Sequence, residues 1–245
     1  MKLFGDFHVH TNFSGDGKQS VADVVSVAEK MGLSQIGFTD HGFCHMAYGT
    51  NRKNQEKLRE QLSEQSTKVQ LFLGIEANIR SFDGTIDLQD DDLKNLDYVV
   101  CGYHKTTKPK TFKDVFCFNL PGIVGKKRFS QKRIAEHTKA YVSAIKSGKI
   151  DILAHPGYCL PIFVEEVGKA CVDYGVAIEL NGKRISLSDE EIVKLYSLGA
   201  KFVVNSDAHT IERVGEVSLP LACVERLHIQ DAVLNVDKLV SFKKR

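Results

Sequence analysis

Apolar residues along the chain fall into short runs bounded by turn signals, alternating with stretches where apolar positions recur every three or four residues. The runs predict seven strands, over residues 3–8, 35–39, 70–76, 98–102, 152–154, 176–180 and 202–205. Between them the helical spacing is clear. Val21, Val24, Val25, Ala28 and Met31 form one stripe, opened by Ser20 with Asp23 three residues on and closed by Gly32. Ile134, Thr138, Tyr141, Val142 and Ile145 run to Gly148, and Phe163, Val164, Val167, Ala170, Cys171 and Tyr174 run to Gly175. Ser188 and Glu191 cap a further helix carrying Ile192, Leu195, Tyr196 and Leu198, which ends at Gly199.

Strands alternating with helices predict an α/β fold with a mainly parallel sheet, whose chemistry sits on the loops after the strands' C-terminal ends. An open doubly wound sheet gives the same pattern. Residues of metal-binding type follow every predicted strand but the sixth, and only a ring brings so many separated strand ends to one point. A distorted seven-stranded TIM-like barrel is therefore expected. No repeat, low-complexity tract or Gly/Ser-rich linker interrupts the chain, so residues 1–245 are read as one domain.

Composition adds exclusions. No apolar run approaches the roughly 18 to 20 residues that span a bilayer. The N-terminal MKLFGDFHVH carries no apolar leader, so a cytoplasmic protein is expected. The six cysteines form no CxxC pair, which argues against zinc knuckles and thioredoxin-like motifs. A net charge of +2 does not by itself imply nucleic-acid binding.

The chemistry lies at the strand ends. His8 and His10 alternate along the first strand, so both imidazoles point to one side and can hold one ion. Thr39-Asp40-His41 follows the second strand, Gly74-Ile75-Glu76 closes the third, and Gly102-Tyr103-His104 follows the fourth. Ala154-His155-Pro156 follows the fifth and Ser206-Asp207-Ala208-His209 the seventh. Six of the nine histidines therefore stand at such positions, which chance placement of structural histidines does not explain. The other three look ordinary: His45 is expected on an exposed loop, His137 in a polar helix and His228 near a helix end.

These motifs resemble the PHP superfamily, named for DNA polymerases and histidinol phosphatases. HVHTNFSGDG is similar to its first motif, TDHG to the second, GIEANI to the third, GYH to the strand-four ligand, AHPG to the fifth and SDAH to the last, in the same order over nearly the whole chain. The likeness is greatest to the small free-standing bacterial phosphatases. It implies a distorted seven-stranded barrel with three divalent ions: His8, His10, Glu76 and Asp207 on the first, Glu76 bridging to a second held by His104 and His155, and Asp16, His41 and His209 on the third. Where some relatives carry histidine at the Asp16 position, aspartate here bears on metal preference. Imidazole and carboxylate ligands suit zinc, manganese or iron.

Such a site implies phosphate chemistry. Three divalent ions against the carboxylates of Asp16, Glu76 and Asp207 leave a charge of about +3, which a phosphate dianion complements. A carboxylate bridging two ions about 3.5 to 4 Å apart favours a shared water that ionises near neutral pH. Glu76, Asp207 and His209 are thus the catalytic candidates, and hydrolysis of phosphate monoesters by in-line attack of a metal-activated hydroxide is the expected reaction. The general acid is open between a metal-bound water and Asp40; Asp6 and Asp40 can equally orient ligands or serve as plain loop carboxylates.

Between His104 and Gln131 lies an unusually long connection, about residues 105–130. From Lys105 to Arg133 it carries nine basic residues against the single acid Asp114, interleaved with Phe112, Phe116, Phe118 and Phe129. A lid attracting anions and a solvated loop are both compatible with that pattern. Arg128, Lys183, Arg184 and Arg213 are the candidates for holding a small phosphorylated substrate. Three rival readings remain: an amidohydrolase, opposed by the TDH motif and the lack of a bridging lysine; a phosphodiesterase or nuclease acting on nucleic acid, opposed by the small net charge; and a regulatory protein that keeps metal without catalysis, opposed by intact ligands at all nine positions.

Overall fold

The computed structural model describes residues 1–116 and 129–242. Arg128 and the residues Phe118, Lys126 and Lys127 of the basic connection lie outside the described residues.

Eight strands form two sheets rather than the single seven-stranded sheet the pattern predicts. Strands β1 (Gly5–Val9), β2 (Gln35–Phe38) and β3 (Gln70–Leu73) make the first. Strands β4 (Glu76–Asn78), β5 (Val100–Gly102), β6 (Ile152–Leu153), β7 (Ala177–Asn181) and β8 (Phe202–Asn205) make the second, and every pairing within both is parallel. Single parallel bridges join the sheets at both junctions, His41 with Glu76 and Val9 with Ala208. The backbone amide of His10 donates to the Ala208 carbonyl at 2.9 Å, continuing the second junction.

The predicted third strand is divided beside Tyr98. This fully buried ring sends its hydroxyl to the Phe7 carbonyl at 2.9 Å, and a Cβ on Gly74 would stand 2.7 Å from two of its atoms. Asp97, its neighbour, accepts from the Leu73 amide at 2.7 Å and donates its own amide to the Leu73 carbonyl at 2.8 Å. The ladder to the second strand runs on past Leu73, with the Gly74 amide donating to the Phe38 carbonyl at 2.8 Å and the Glu76 amide to the Asp40 carbonyl at 3.0 Å, while Glu76 also pairs beside Val100 of β5. Sequence periodicity does not register this division, because apolar residues continue through it.

A Cβ on Gly37 of β2 would come 2.0 Å from the same tyrosine oxygen and 3.2 Å from the Phe7 backbone. Gly37→Ala is therefore expected to lower stability by about 1–3 kcal/mol, the cost of overpacking a closed core. Chemical denaturation checks this, and an unchanged midpoint would contradict the packing described.

The predicted helices form where the pattern places them: α1 (Val21–Met31), α3 (Gln131–Lys146), α4 (Val164–Tyr174) and α5 (Asp189–Ser197), with the Ser20/Asp23 and Ser188/Glu191 capping boxes both made. Two further helices, α2 (Arg52–Ser63) and α6 (Ser218–Leu227), were not anticipated. In α2 only Gln55, Leu58 and Leu62 are buried, too thin a stripe to stand out in a polar segment. Among the described residues no helix is long and apolar enough to cross a membrane.

His137 on α3 is buried, where the sequence suggests a polar helix surface. Its Nδ1 faces the Pro161 carbonyl at 3.1 Å and its ring lies parallel to Phe82. Burial pushes its pKa from 6.5 down to about 4. The folded state prefers the neutral ring, so this contribution is complete above about pH 6.5 and is lost as pH falls toward about 4, by up to about 3 kcal/mol. Denaturation of the parent and His137→Gln proteins at pH 7.5 and 4.5 checks it: the variant is expected to lose less stability over that interval.

Candidate metal centre

The two junctions between the sheets bring the strand ends together, and the nine residues singled out as ligands meet there. Glu76, 1% exposed at the start of β4, is the hub. Its carboxylate oxygens lie 2.8 Å from His41 Nδ1, 3.0 Å from His155 Nε2, 3.1 Å from His104 Nε2, 3.3 Å from His8 Nε2 and 3.7 Å from His10 Nε2. Asp207 faces the same space, 3.5 Å from His10 and 3.7 Å from His8. Asp16 lies 3.2 Å from the Nε2 atoms of both His41 and His209.

The donor atoms form three overlapping groups in which every atom lies within 4.8 Å of the others: His8, His10 and Glu76; His41, Glu76 and His104; and His10, Asp16, His41 and His209. The last adds His10 to the trio implied for the third ion. Several of these atoms point inward without a hydrogen bond, among them both nitrogens of His10, His8 Nε2 and Asp16 Oδ1. Orphaned imidazole nitrogens facing carboxylates across 3.3–3.7 Å in a buried site fit divalent cations placed between them.

Electrostatics follow the same layout. Burial alone raises the Glu76 carboxyl, but the surrounding imidazoles, His104 and His8 foremost, hold it well below the carboxylate range. Asp207 is likewise held well below, against its burial, by His8, His10 and Lys183. Burial lowers His41, yet its contacts to Asp16 and Glu76 carry it to about 9. The carboxylates are thus kept ionised in a space that favours positive charge.

Backbone strain marks two of the nine positions. His155 and Asp207 have φ of 29° and 52°, a region unfavourable for residues with a Cβ. What holds His155 there is Glu179, whose Oε2 accepts the His155 amide at 3.0 Å. Its other oxygen lies 2.7 Å from His8 Nδ1, directing His8 Nε2 toward Glu76, and both oxygens accept from the amides of Asn181 and Asn205. Glu179 sits on β7, the strand to which the sequence assigned no metal-type residue. Its signal was available, since a glutamate inside the apolar run AIELN of a parallel strand needs a buried partner. Asn78 plays the corresponding part for His104, its Oδ1 lying 2.8 Å from Nδ1.

Asp6 and Asp40 resolve as backbone organisers. Asp40 accepts from the Thr11 amide and hydroxyl, both at 2.7 Å, and so fixes the loop that carries Asp16. Asp6 accepts from the amides of His8, Ser206 and Gly215 on either side of Asp207. Neither borders the cavity over the site. His45 corrects an expectation: it is buried, stacked on His41 at 4.5 Å between centroids, and held by the Tyr48 amide and the Thr106 hydroxyl at 2.9 Å each. The Thr106 contact comes from the following βα loop, 61 residues away, which local sequence does not show.

The cavity has a volume of about 350 Å³ and reaches from Glu76, Asp207 and His209 to Tyr48 and Tyr158 at its edge. Lys183 lies within it, 3.1 Å from Asp207 Oδ1 and 2.8 Å from His209 Nδ1. Arg184 is farther out, its guanidinium 5.3 Å from the Tyr158 ring centre. Arg213 is not part of the lining; it donates to the Gly182 carbonyl at 3.1 Å and so braces the turn before Lys183.

A PHP domain family model matches residues 6–187. A protein of Shewanella sp. (strain ANA-3) named "probable phosphatase" is 33% identical over 240 residues, covering 94% of this chain and 86% of its own. A protein of Shewanella baltica (strain OS195) with the same name is 36% identical over 184 residues, 75% of this chain and 63% of its own. In fold the chain is similar to the histidinol phosphate phosphatase of Lactococcus lactis, crystallised with zinc, L-histidinol and phosphate, at a TM-score of 0.67 and 16% identity over 100% of this chain and 98% of that one.

Proposed function

The chain belongs to the PHP domain family, and from that premise we propose that it is a metal-dependent phosphatase hydrolysing phosphate monoesters of small molecules. The observation that carries the reading is Glu76, one buried carboxylate approached by five imidazoles from four strand ends. We read the two sheets as one distorted seven-stranded barrel, with β3 and β4 as a single bent strand.

In this reading His8, His10, Glu76 and Asp207 hold one divalent ion, Glu76, His104 and His155 a second, and Asp16, His41 and His209 a third. Zinc, manganese or iron bound there supplies Lewis-acid charge and an activated water. The protein's own contribution is orientation. Glu179 and Asn78 fix the rings of His8 and His104, so that little reorganisation remains when phosphate enters.

Lys183 has a second part. When His209 uses Nε2 as a ligand, its neutral ring carries the proton on Nδ1, which then donates to the Asp207 carbonyl 3.0 Å away. With the metal held, the Lys183 ammonium would no longer donate to that nitrogen and would be free to meet a phosphate oxygen in the cavity. The five described thiols are all free, which suits a reducing cytoplasm.

The experiment is release of product from 4-nitrophenyl phosphate and bis(4-nitrophenyl) phosphate. Turnover of the monoester, lost on chelation and restored by zinc or manganese, is expected. Preference for the diester would instead favour a phosphodiesterase, and cleavage of amides alone an amidohydrolase.

A further inference from the structure

The charges at the cavity edge are not all used by the site beneath. Lys183 is occupied by Asp207 and His209, but Arg184, on the same turn, points to the opposite side, over the ring of Tyr158. Arg184 is exposed, borders the cavity and has no carboxylate partner among the described residues. Lys105, from the segment directly after His104, joins it from another strand end: it lies within electrostatic reach of Cys159 and Tyr158 and is likewise without an acidic partner. Two cations from different loops thus converge beside a tyrosine that is 36% exposed. Ser186 adds a hydroxyl to the cavity lining, buried and without a hydrogen-bond partner.

The acids that border the cavity, Asp16, Glu76 and Asp207, all face the central histidines and leave Arg184 unpaired at the edge.

We propose that Arg184, with Lys105 and the Tyr158 hydroxyl, forms a second anion subsite, so that the substrate is a phosphate monoester whose leaving group carries a further acidic group, carboxylate or phosphate. The proposal rests on the phosphatase reading, since it places the scissile phosphate at Lys183 and the ligand cluster and the second anion one residue along the same turn. Arg184 then decides specificity. A guanidinium braced on an aromatic face offers a planar fork suited to a carboxylate or phosphate and disfavours a cationic tail.

The test is calorimetric binding to the metal-loaded protein of stable phosphonates that differ only in their tails: propylphosphonate, 3-aminopropylphosphonate, 3-phosphonopropionate, 4-phosphonobutyrate and propane-1,3-bisphosphonate. One of the acidic tails is expected to bind about twofold to fivefold tighter than propylphosphonate, the range for a partly solvated charge pair, and the amine more weakly. The carboxylate and bisphosphonate ligands together show which acid the subsite prefers. In Arg184→Gln the ratio of acidic to neutral tail is expected to fall toward one, and in Lys105→Gln to fall part of the way. Equal affinities in the parent protein, or a ratio unchanged in Arg184→Gln, would overturn the subsite while leaving the phosphate site standing. Failure of even propylphosphonate to bind would instead remove the phosphatase reading beneath it.

Discussion

Replacing Glu76 by glutamine is expected to reduce kcat/KM for a phosphate monoester on the order of a thousandfold or more, about 4 kcal/mol of transition-state stabilisation. The amide nearly matches the carboxylate in shape, so the fold is expected to survive, with unchanged far-ultraviolet dichroism. What it lacks is charge. Five imidazoles converge on this one group, and a neutral amide both weakens each ion it touches and presents an N–H where only acceptors fit. Metal content measured on the same preparation is expected to fall with activity. Retention of full activity in Glu76→Gln would contradict its place at the centre of the site.

The second large effect is expected at Glu179, which touches no proposed ion. Glu179→Ala releases His8 Nδ1, the strained His155 amide and the side-chain amides of Asn181 and Asn205 together. Loss of such an orienting partner lowers metal affinity about 10- to 100-fold, and the stranded buried donors cost on the order of 1–3 kcal/mol of stability. Competition with a chromogenic chelator measures the first and denaturation of the metal-free protein the second. An Ala variant with parent-like metal affinity would show that His8 and His155 are oriented by packing alone.

The contrast between these two residues shows how far the sequence could be read. Glu76 was legible because it stands at a strand end inside a motif, and the same is true of His8, His10, His41, His104, His155, Asp207 and His209. Asp16 was legible only through resemblance, and the structure brings it to His41 and His209 through a loop folded by Asp40. Glu179 escaped because its meaning lies in a partner 171 residues away. His45 was misjudged for the same kind of reason: its nearest ring, His41, is local, but its burial depends on Thr106 in another loop. The division between β3 and β4 was hidden as well, since apolar residues run through it. Helix ends, by contrast, depend on neighbouring residues alone, and the capping boxes of α1 and α5 stand where the sequence put them.

Arg213 and Lys183 make the point for charged residues. Both were candidates to hold phosphate on position alone. Arg213 donates to a backbone carbonyl and Lys183 lies over the ligands, a difference set by one turn of chain at Gly182.

The most direct test of the central claim is metal stoichiometry measured together with phosphate release. Protein stripped by chelation is titrated with zinc or manganese, bound metal is determined by elemental analysis, and inorganic phosphate from 4-nitrophenyl phosphate is assayed at each step. Activity rising to its plateau as the content reaches about three ions per chain is the result that the proposed three-ion site predicts. A plateau at one ion per chain, or phosphate release unaffected by stripping, would contradict the account.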